Sequence, residues 1–467
     1  MSRSRMKRMA KWTWLATLAL ASSLLLAGCG TVTTHAPQAP AVATDPAYAK
    51  AAELARQDAT LSGQARQDNA AQIDRLLAAI DNATLARQAA ALPVGDPLYN
   101  FAGRALLNRG LPLPRPFDRG GWSLEGRERP PADSDGYRPP VKLAVLLPLS
   151  GDLSKAAIPV RDGLLAGYYG ESRRRPEIVF YDTTGTPAGA IAAYGRAVSE
   201  GADYVVGPLG RDEVGALFHA QLKVPVLALN RAGTPPPGNS SFSLAPEDDG
   251  IAAAEWLLAR GARHVLVLSD PSLQRAVAAF GTQLRSRGGS VTDTLPVADK
   301  PADMGAVLRA ETGKPGGVDG IFLALKPAQA GVVAPQLAAA GLDGKPRVAI
   351  SQPAAAATGA SGSGDHALDG IAFPSEAWSV RGVSGLPSPA AAGKILPSAR
   401  GGGARLFAFG HDAWLLTAYM ERLATRADGQ VQGATGLLRL DGFGNVVRTP
   451  AWSTLSGGHV VPLGNQP

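Results

Sequence analysis

A single cysteine, Cys29, stands among the 467 residues, so no intramolecular disulfide can form and the core alone must hold the fold. The six histidines, His35, His219, His264, His366, His411 and His459, are scattered. No two stand four apart and none forms His-Glu-x-x-His, so a zinc site has no support. Gly313-Lys314 and Gly344-Lys345 both run into proline, which leaves no phosphate-binding loop. The nearest approach to a nucleophile elbow, Gly359 to Gly364, has Ser363 where the second glycine belongs and reads as a Gly/Ser/Ala surface loop. We therefore expect no catalytic residue, no metal and no cofactor. Charged residues are also scarce, 18% against 45% hydrophobic, which excludes a disordered polyelectrolyte.

Positive charge is in modest excess, +7 overall, and its position matters. Arg3, Arg5, Lys7, Arg8 and Lys11 precede residue 29 with no acid among them, and without them the body carries +2. A body so nearly neutral is no phosphate-binding surface, so nucleic acid is not an expected partner. The basic stretch leads into an apolar run, Trp12 to Ala27, short for a bilayer-spanning helix and laid out as a secretory signal. The run closes on Leu26-Ala27-Gly28-Cys29, which resembles the lipobox of bacterial lipoproteins. That resemblance implies cleavage after residue 28 and diacylation of Cys29. Two or three acyl chains anchor stably, at about 0.8 kcal/mol per buried methylene, where one does not. Such lipoproteins are commonly held at the inner membrane by an aspartate after the cysteine. Gly30 stands there, which implies the periplasmic face of the outer membrane.

After the signal, 29–46 is a Thr/Ala/Pro/Gln spacer. Across 47–110, Leu54, Ile73, Leu76, Leu77 and Ile80 recur at helical spacing in Ala-rich sequence, predicting three or four short helices. No 34-residue self-similarity is visible, so this is a small helical region. Seven prolines between 111 and 140 make that segment a linker, or a strap on a domain surface. From 141 to 467, apolar strands alternate with single helices, the pattern of parallel α/β sheets covered on both faces. So long a stretch predicts two lobes. We assign lobe 1 to about 141–245 and 371–427, and lobe 2 to about 246–370 and 428–467. Leu437 to Leu440 and Val446-Val447 read as a terminal hairpin finishing one lobe's sheet, and His411-Asp412 as the start of a helix.

Candidate ligand contacts follow from strand ends, where open α/β sheets bind ligands. Ser150 and Gly151 follow the first strand, and Asp182 and Thr183 end the second. Gly207 and Leu209 follow the third, Arg211 opens the next helix with Asp212, and Asn230 ends the fourth. Each has a structural alternative: a helix cap at Ser150, an Asx-type turn at Asp182, a solvated ion pair at Arg211, a turn at Asn230. The loop 207–210 offers no hydroxyl, and Pro208 removes an amide donor.

Lys142 to Gly151 (KLAVLLPLSG), Arg161 to Tyr169 (RDGLLAGYY) and Val179 to Thr183 (VFYDT) look like the start of a type I periplasmic-binding fold. With Gly201 to Leu209 (GADYVVGPL), Val224 to Asn230 (VPVLALN), Arg405 to Ala413 (RLFAFGHDA), Gly433 to Asp441 (GATGLLRLD) and Asn445 to Arg448 (NVVR), the chain resembles the LppC lipoprotein family over about 141–460. The resemblance implies an outer-membrane lipoprotein, not an enzyme, that stimulates a bifunctional class A penicillin-binding protein in peptidoglycan synthesis by direct contact. Where the family carries a long helical N-terminal domain, this chain has only the 47–110 region. The alternative is a solute-binding lipoprotein of an amino-acid or amide transporter or sensor, which leaves open whether the inter-lobe cleft takes a small molecule. A hydrolase would need a side chain the sequence does not nominate.

Overall fold

The computed structural model describes residues 45–464 except 62, 119–128, 315 and 351–367. The signal, Cys29, most of the spacer and the loop Gly359 to Gly364 lie outside the described residues.

Four helices form the N-terminal region: α1 (Pro46–Asp58), α2 (Gly63–Ala78), α3 (Asn82–Ala91) and α4 (Tyr99–Asn108). Asp45 caps α1 by accepting from the amide of Ala47 (2.8 Å), with Pro46 in the first turn, where its missing donor costs nothing. Asp81 caps α3 in the same way through Thr84 N (2.9 Å). Leu54, Ile73, Leu77, Ile80, Leu85 and Leu106 pack into one cluster, as their helical spacing predicts. Arg109 closes α2, donating to the carbonyls of Leu77 (2.7 Å), Ala78 (3.1 Å) and Ile80 (2.8 Å).

The proline-rich stretch that follows is a strap. Its described parts lack regular structure and are pinned by side chains. Phe117 packs with Tyr99 and Leu107 against the helices. Arg129 pairs with Asp203 (2.7 Å), both nearly dry, and Asp203 also accepts from the amides of Val141 and Lys142. Arg138 reaches Glu421 (2.7 Å).

The remainder runs β1 (Lys142–Leu147), α5 (Ser154–Gly170), β2 (Glu177–Asp182), α6 (Pro187–Ser199), β3 (Tyr204–Val206), α7 (Arg211–Phe218), β4 (Val226–Ala228) and β5 (Ser240–Ser241). Then come α8 (Pro246–Leu258), β6 (His264–Ser269), α9 (Gln274–Ser286), β7 (Ser290–Pro296), α10 (Gly305–Thr312), β8 (Gly320–Ala324), α11 (Pro327–Ala339), β9 (Arg347–Ala349) and β10 (Ile371–Ser375). The chain ends with α12 (Ala377–Arg381), α13 (Pro389–Ile395), α14 (Gly402–Thr425), β11 (Gln430–Gln432), β12 (Leu437–Leu440), β13 (Val446–Thr449), β14 (Ala451–Ser456) and β15 (His459–Pro462).

Lobe 1 holds a parallel sheet ordered β2-β1-β3-β4-β5. Lobe 2 holds β15-β14-β10-β9-β8-β6-β7, parallel except for β14, which pairs antiparallel with both β10 and β15. β3, β4, β8 and β9 are buried along their length, and β1 is buried after Lys142, as strands covered on both faces must be. Helices α5 and α14 cross in lobe 1 at glycines. A Cβ on Gly163 would stand 1.8 Å from Phe407 O, and one on Gly410 would stand 1.9 Å from Val160 O.

The lobe boundaries differ from those read from the sequence. Strand β10, assigned to lobe 1, lies in the lobe 2 sheet between β9 and β14, because its parallel partner β9 is already there. Segment 430–449, assigned to lobe 2, packs with lobe 1. Val431, Leu438, Leu440 and Val446 share a cluster with Leu143, Val145 and Leu147. The β12-β13 hairpin forms a separate antiparallel sheet with β11, and β14 and β15 are what complete a lobe's sheet. His411 and Asp412 do not begin a helix. They lie within α14, which starts at Gly402, inside a triple glycine that masks the boundary.

Candidate functional site

The sheet order brings the loops after β2, β1, β3 and β4 to one edge of lobe 1, so all the predicted contacts cluster there. Ser150, Asp182 and Asn230 spend their polar groups on neighbouring loops. Asp182 Oδ1 accepts from the amides of Leu149 (2.9 Å) and Thr184 (2.8 Å), and Oδ2 accepts from Ser150 Oγ (2.6 Å). Burial would raise the Asp182 pKa, but these bonds outweigh it and hold the carboxyl below the usual range. Gly151 adopts φ +77° against Thr184, and Thr183 is fully buried, donating its amide to Leu147 O (3.0 Å).

The second pair of loops is as closed. Gly207 has φ +100°, and a Cβ there would stand 2.0 Å from Leu146 O, so only glycine fits. Asn230 Nδ2 donates to Leu209 O (2.9 Å), while its Oδ1 accepts from the Arg231 amide (2.9 Å). Arg211 and Asp212 are exposed in the first turn of α7. The residue that sequence reasoning missed is Glu213, whose Oε2 accepts from Gly210 N (2.7 Å) and whose carboxyl is pushed up by burial. Its spacing, three residues after the position that caps α7, was the available signal.

Lobe 2 repeats the pattern. Asp270, just after β6, accepts from Ser272 N (2.9 Å) and Ser272 Oγ (2.5 Å), and its other oxygen from Gln329 Nε2 (2.7 Å). Lys326 lies 3.3 Å from Asp270 and 2.5 Å from Asp299. The bonds from Ser272 hold the Asp270 carboxyl well below the usual range.

Buried charges join the lobes. Asp249, in the first turn of α8, lies 2.5 Å from Arg448 of β13 and 2.8 Å from Arg405 of α14. Arg405 also reaches Glu376 (3.2 Å), and Arg231 pairs with Asp248 (3.0 Å). Burial alone would raise the Asp249 pKa, yet Arg448 and Arg405 hold it down. Asp248, beside it, is pushed up by burial.

Open space lies elsewhere. Cavities of about 600, 550 and 620 Å³ follow one seam, between the helical region and lobe 2. None of the predicted strand-end residues lines them. The helical region is held beside this seam by the β12-β13 turn: Phe443 packs edge-on to Phe101 (4.7 Å) under Arg104 (4.3 Å), and Asn100 Nδ2 donates to Gly442 O (3.2 Å).

The family model described as LppC putative lipoprotein matches residues 137–458. The chain belongs to the LppC lipoprotein family. That match covers the whole two-lobed domain except its last strand, in agreement with the motifs. Among curated LppC relatives, the penicillin-binding protein activator LpoA of Edwardsiella piscicida is 28% identical over 332 residues, 61% of this chain and 46% of that one. The protein of the same name from Photobacterium profundum is 31% identical over 159 residues, 32% of this chain and 26% of that one. The chain spans about half the length of the first of these relatives and less of the second. Full-length LpoA from Haemophilus influenzae superposes with a TM-score of 0.60 at 20% identity, over 88% of this chain and 78% of that one. Its C-domain alone, described as a regulator of PBP1A, gives 0.58 at 23%, over 69% and 99%. The wider coverage by the full-length protein extends the structural likeness beyond the two-lobed domain. A putative branched-chain amino acid ABC transporter protein from Chromobacterium violaceum gives 0.53 at 26%, over 68% and 100%, which fits the type I periplasmic-binding architecture.

Proposed function

We propose that this protein is a lipid-anchored activator of a bifunctional class A penicillin-binding protein, acting by direct contact in the periplasm. The observation that carries the reading is that a binding-protein fold has engaged the carboxylates at its strand ends. Asp182 and Asp270, one per lobe, are saturated by hydrogen bonds from within their own lobe. A solute receptor needs such groups free to meet its ligand. Membership in the LppC family, whose matched relatives are named penicillin-binding protein activators, supports the same reading. It supports equally a regulator rather than an enzyme. The solute-receptor alternative rests on the shared architecture alone.

The mechanism is differential binding. Docking stabilises the active conformation of the synthase over the inactive one, a coupling typically of about 1–3 kcal/mol. Acylated Cys29 would hold the body at the periplasmic face of the outer membrane, with the segment after it as tether. The contact is tested by calorimetric titration of the soluble body, residues 30–467, into detergent-solubilised cognate class A synthase. We expect saturable one-to-one binding. Absence of heat at any synthase tried would contradict the proposal.

A further inference from the structure

The cavity of about 550 Å³ in the helical seam is within the size range of ligand pockets, and its charges do not balance. Its walls come from two parts of the molecule. Leu107 and Arg109 lie at the end of α4, Trp256 and Arg260 in α8 and the turn after it, and Pro450 and Trp452 at the start of β14. The rings of Trp256 and Trp452 stand 5.9 Å apart, and the Arg260 guanidinium lies 3.6 Å over Trp256.

The acidic groups lining the cavity each have a cationic neighbour, although Asp248 Oδ2 accepts no hydrogen bond. Asp248 is held by Arg231 (3.0 Å), and Glu255 accepts from Gln283 (2.6 Å) beside Arg287 (3.6 Å). Arg448 is engaged by Asp249. Arg109 and Arg260 are not matched in this way. Arg109 donates to the carbonyls that end α2 and to Asn82 Oδ1 (3.2 Å), and Arg260 to Trp256 O (3.1 Å). Among the described residues neither has a carboxylate partner. Burial, with Arg287 nearby, pushes the Arg109 pKa down to about 10 against the opposing pull of Glu255 and Asp81.

We propose that this groove docks an acidic segment of the synthase, one presenting carboxylates beside an apolar or aromatic side chain. The inference rests on the activator reading and assigns its contact face. A carboxylate meets the fork of Arg260, and the apolar side chain lies against the tryptophans. Docking then bridges the helical region and lobe 2 in one interface.

The test uses the mature chain and solubilised class A synthase, with binding and rate stimulation both read. Arg260→Glu should weaken binding by at least about tenfold, while Arg260→Lys, which keeps the charge but loses the fork stacked on Trp256, should weaken it less. Lys155→Glu, on exposed α5 surface of lobe 1, should bind as the unaltered chain does. If Arg260→Glu melts early, Arg260→Gln carries the same test. Undiminished binding by a normally melting Arg260→Glu or Arg260→Gln overturns the groove while leaving the activator reading intact. So does equal weakening by Lys155→Glu, which would mark a diffuse electrostatic effect. If the unaltered chain binds no class A synthase, the activator reading fails and this inference fails with it.

Discussion

The guanidinium of Arg448 lies 2.5 Å from Asp249 Oδ1, with only 2% and 4% of the two side chains exposed. The pair ties β13, packed with lobe 1, to the first helix of lobe 2. Removing one partner of a buried ion pair leaves the other charge dry and uncompensated, at a cost of about 3–5 kcal/mol. Asp249→Ala should therefore lower stability by about that much in urea unfolding. Arg405→Ala should cost about 1 kcal/mol or less, because Arg405 is one-third exposed and solvent screens its pair. Equal losses from the two variants would contradict this account of the junction.

Asp249 also sets a pH dependence. In the unfolded chain an aspartate titrates near about 3.9, and in the fold Arg448 and Arg405 hold Asp249 below its ordinary value. Its contribution is complete above the ordinary value and is lost as pH falls through the depressed one. Chemical denaturation from about pH 5 down to 3 should show stability falling with acid, and falling less steeply in Asp249→Asn. Asp248, pushed up by burial, has the opposite sign, so Asp248→Asn should steepen the rise of stability with pH.

Gly163 and Gly410 let α5 and α14 touch backbone to backbone. Alanine at either position would drive a methyl into a carbonyl that cannot rotate away. Each substitution should cost about 3 kcal/mol, the upper part of the usual overpacking range. The two share one crossing, so the double variant should cost less than the sum. Additive losses in thermal melts would show that the two glycines act independently.

Phe443 anchors the helical region. Phe443→Ala removes the edge contact to Phe101 and the surface under Arg104, and should cost about 2 kcal/mol, less than a fully buried phenylalanine. The loss should be local. Hydrogen exchange should accelerate across 46–108 while β1, β3 and β8 keep their protection. Uniform acceleration would mean that the helical region and lobes unfold as one.

Much of the architecture was legible in the chain. The apolar runs 142–147 and 204–206 are β1 and β3, and the helical stretches read near 154–170, 187–200, 246–260 and 327–341 match α5, α6, α8 and α11 within a residue or two. Two strands of the lobe 2 sheet escaped notice, β7 at its edge and β14 between β15 and β10. β7 (SVTDTLP) and β14 (AWSTLS) interleave polar residues, so neither gives the apolar run that marks a central strand. The lobe of β10 was misassigned because partner choice is a long-range matter that local pattern does not encode. The strand-end cluster was legible in position, since Ser150 and Asp182 do meet, but not in state. That Asp182 is saturated depends on backbone amides that composition does not reveal. The doublet Asp248-Asp249 reads as a helix first turn, and nothing near it in sequence points to Arg405 or Arg448, more than a hundred residues away.

Glycan polymerisation by a purified class A synthase, with and without the soluble body, tests the central claim most directly. A coupling of about 1–3 kcal/mol predicts a stimulation between about fivefold and 150-fold that saturates with added body. An unchanged rate at saturating concentrations of the body, with binding to the synthase demonstrated in the same preparation, would contradict it.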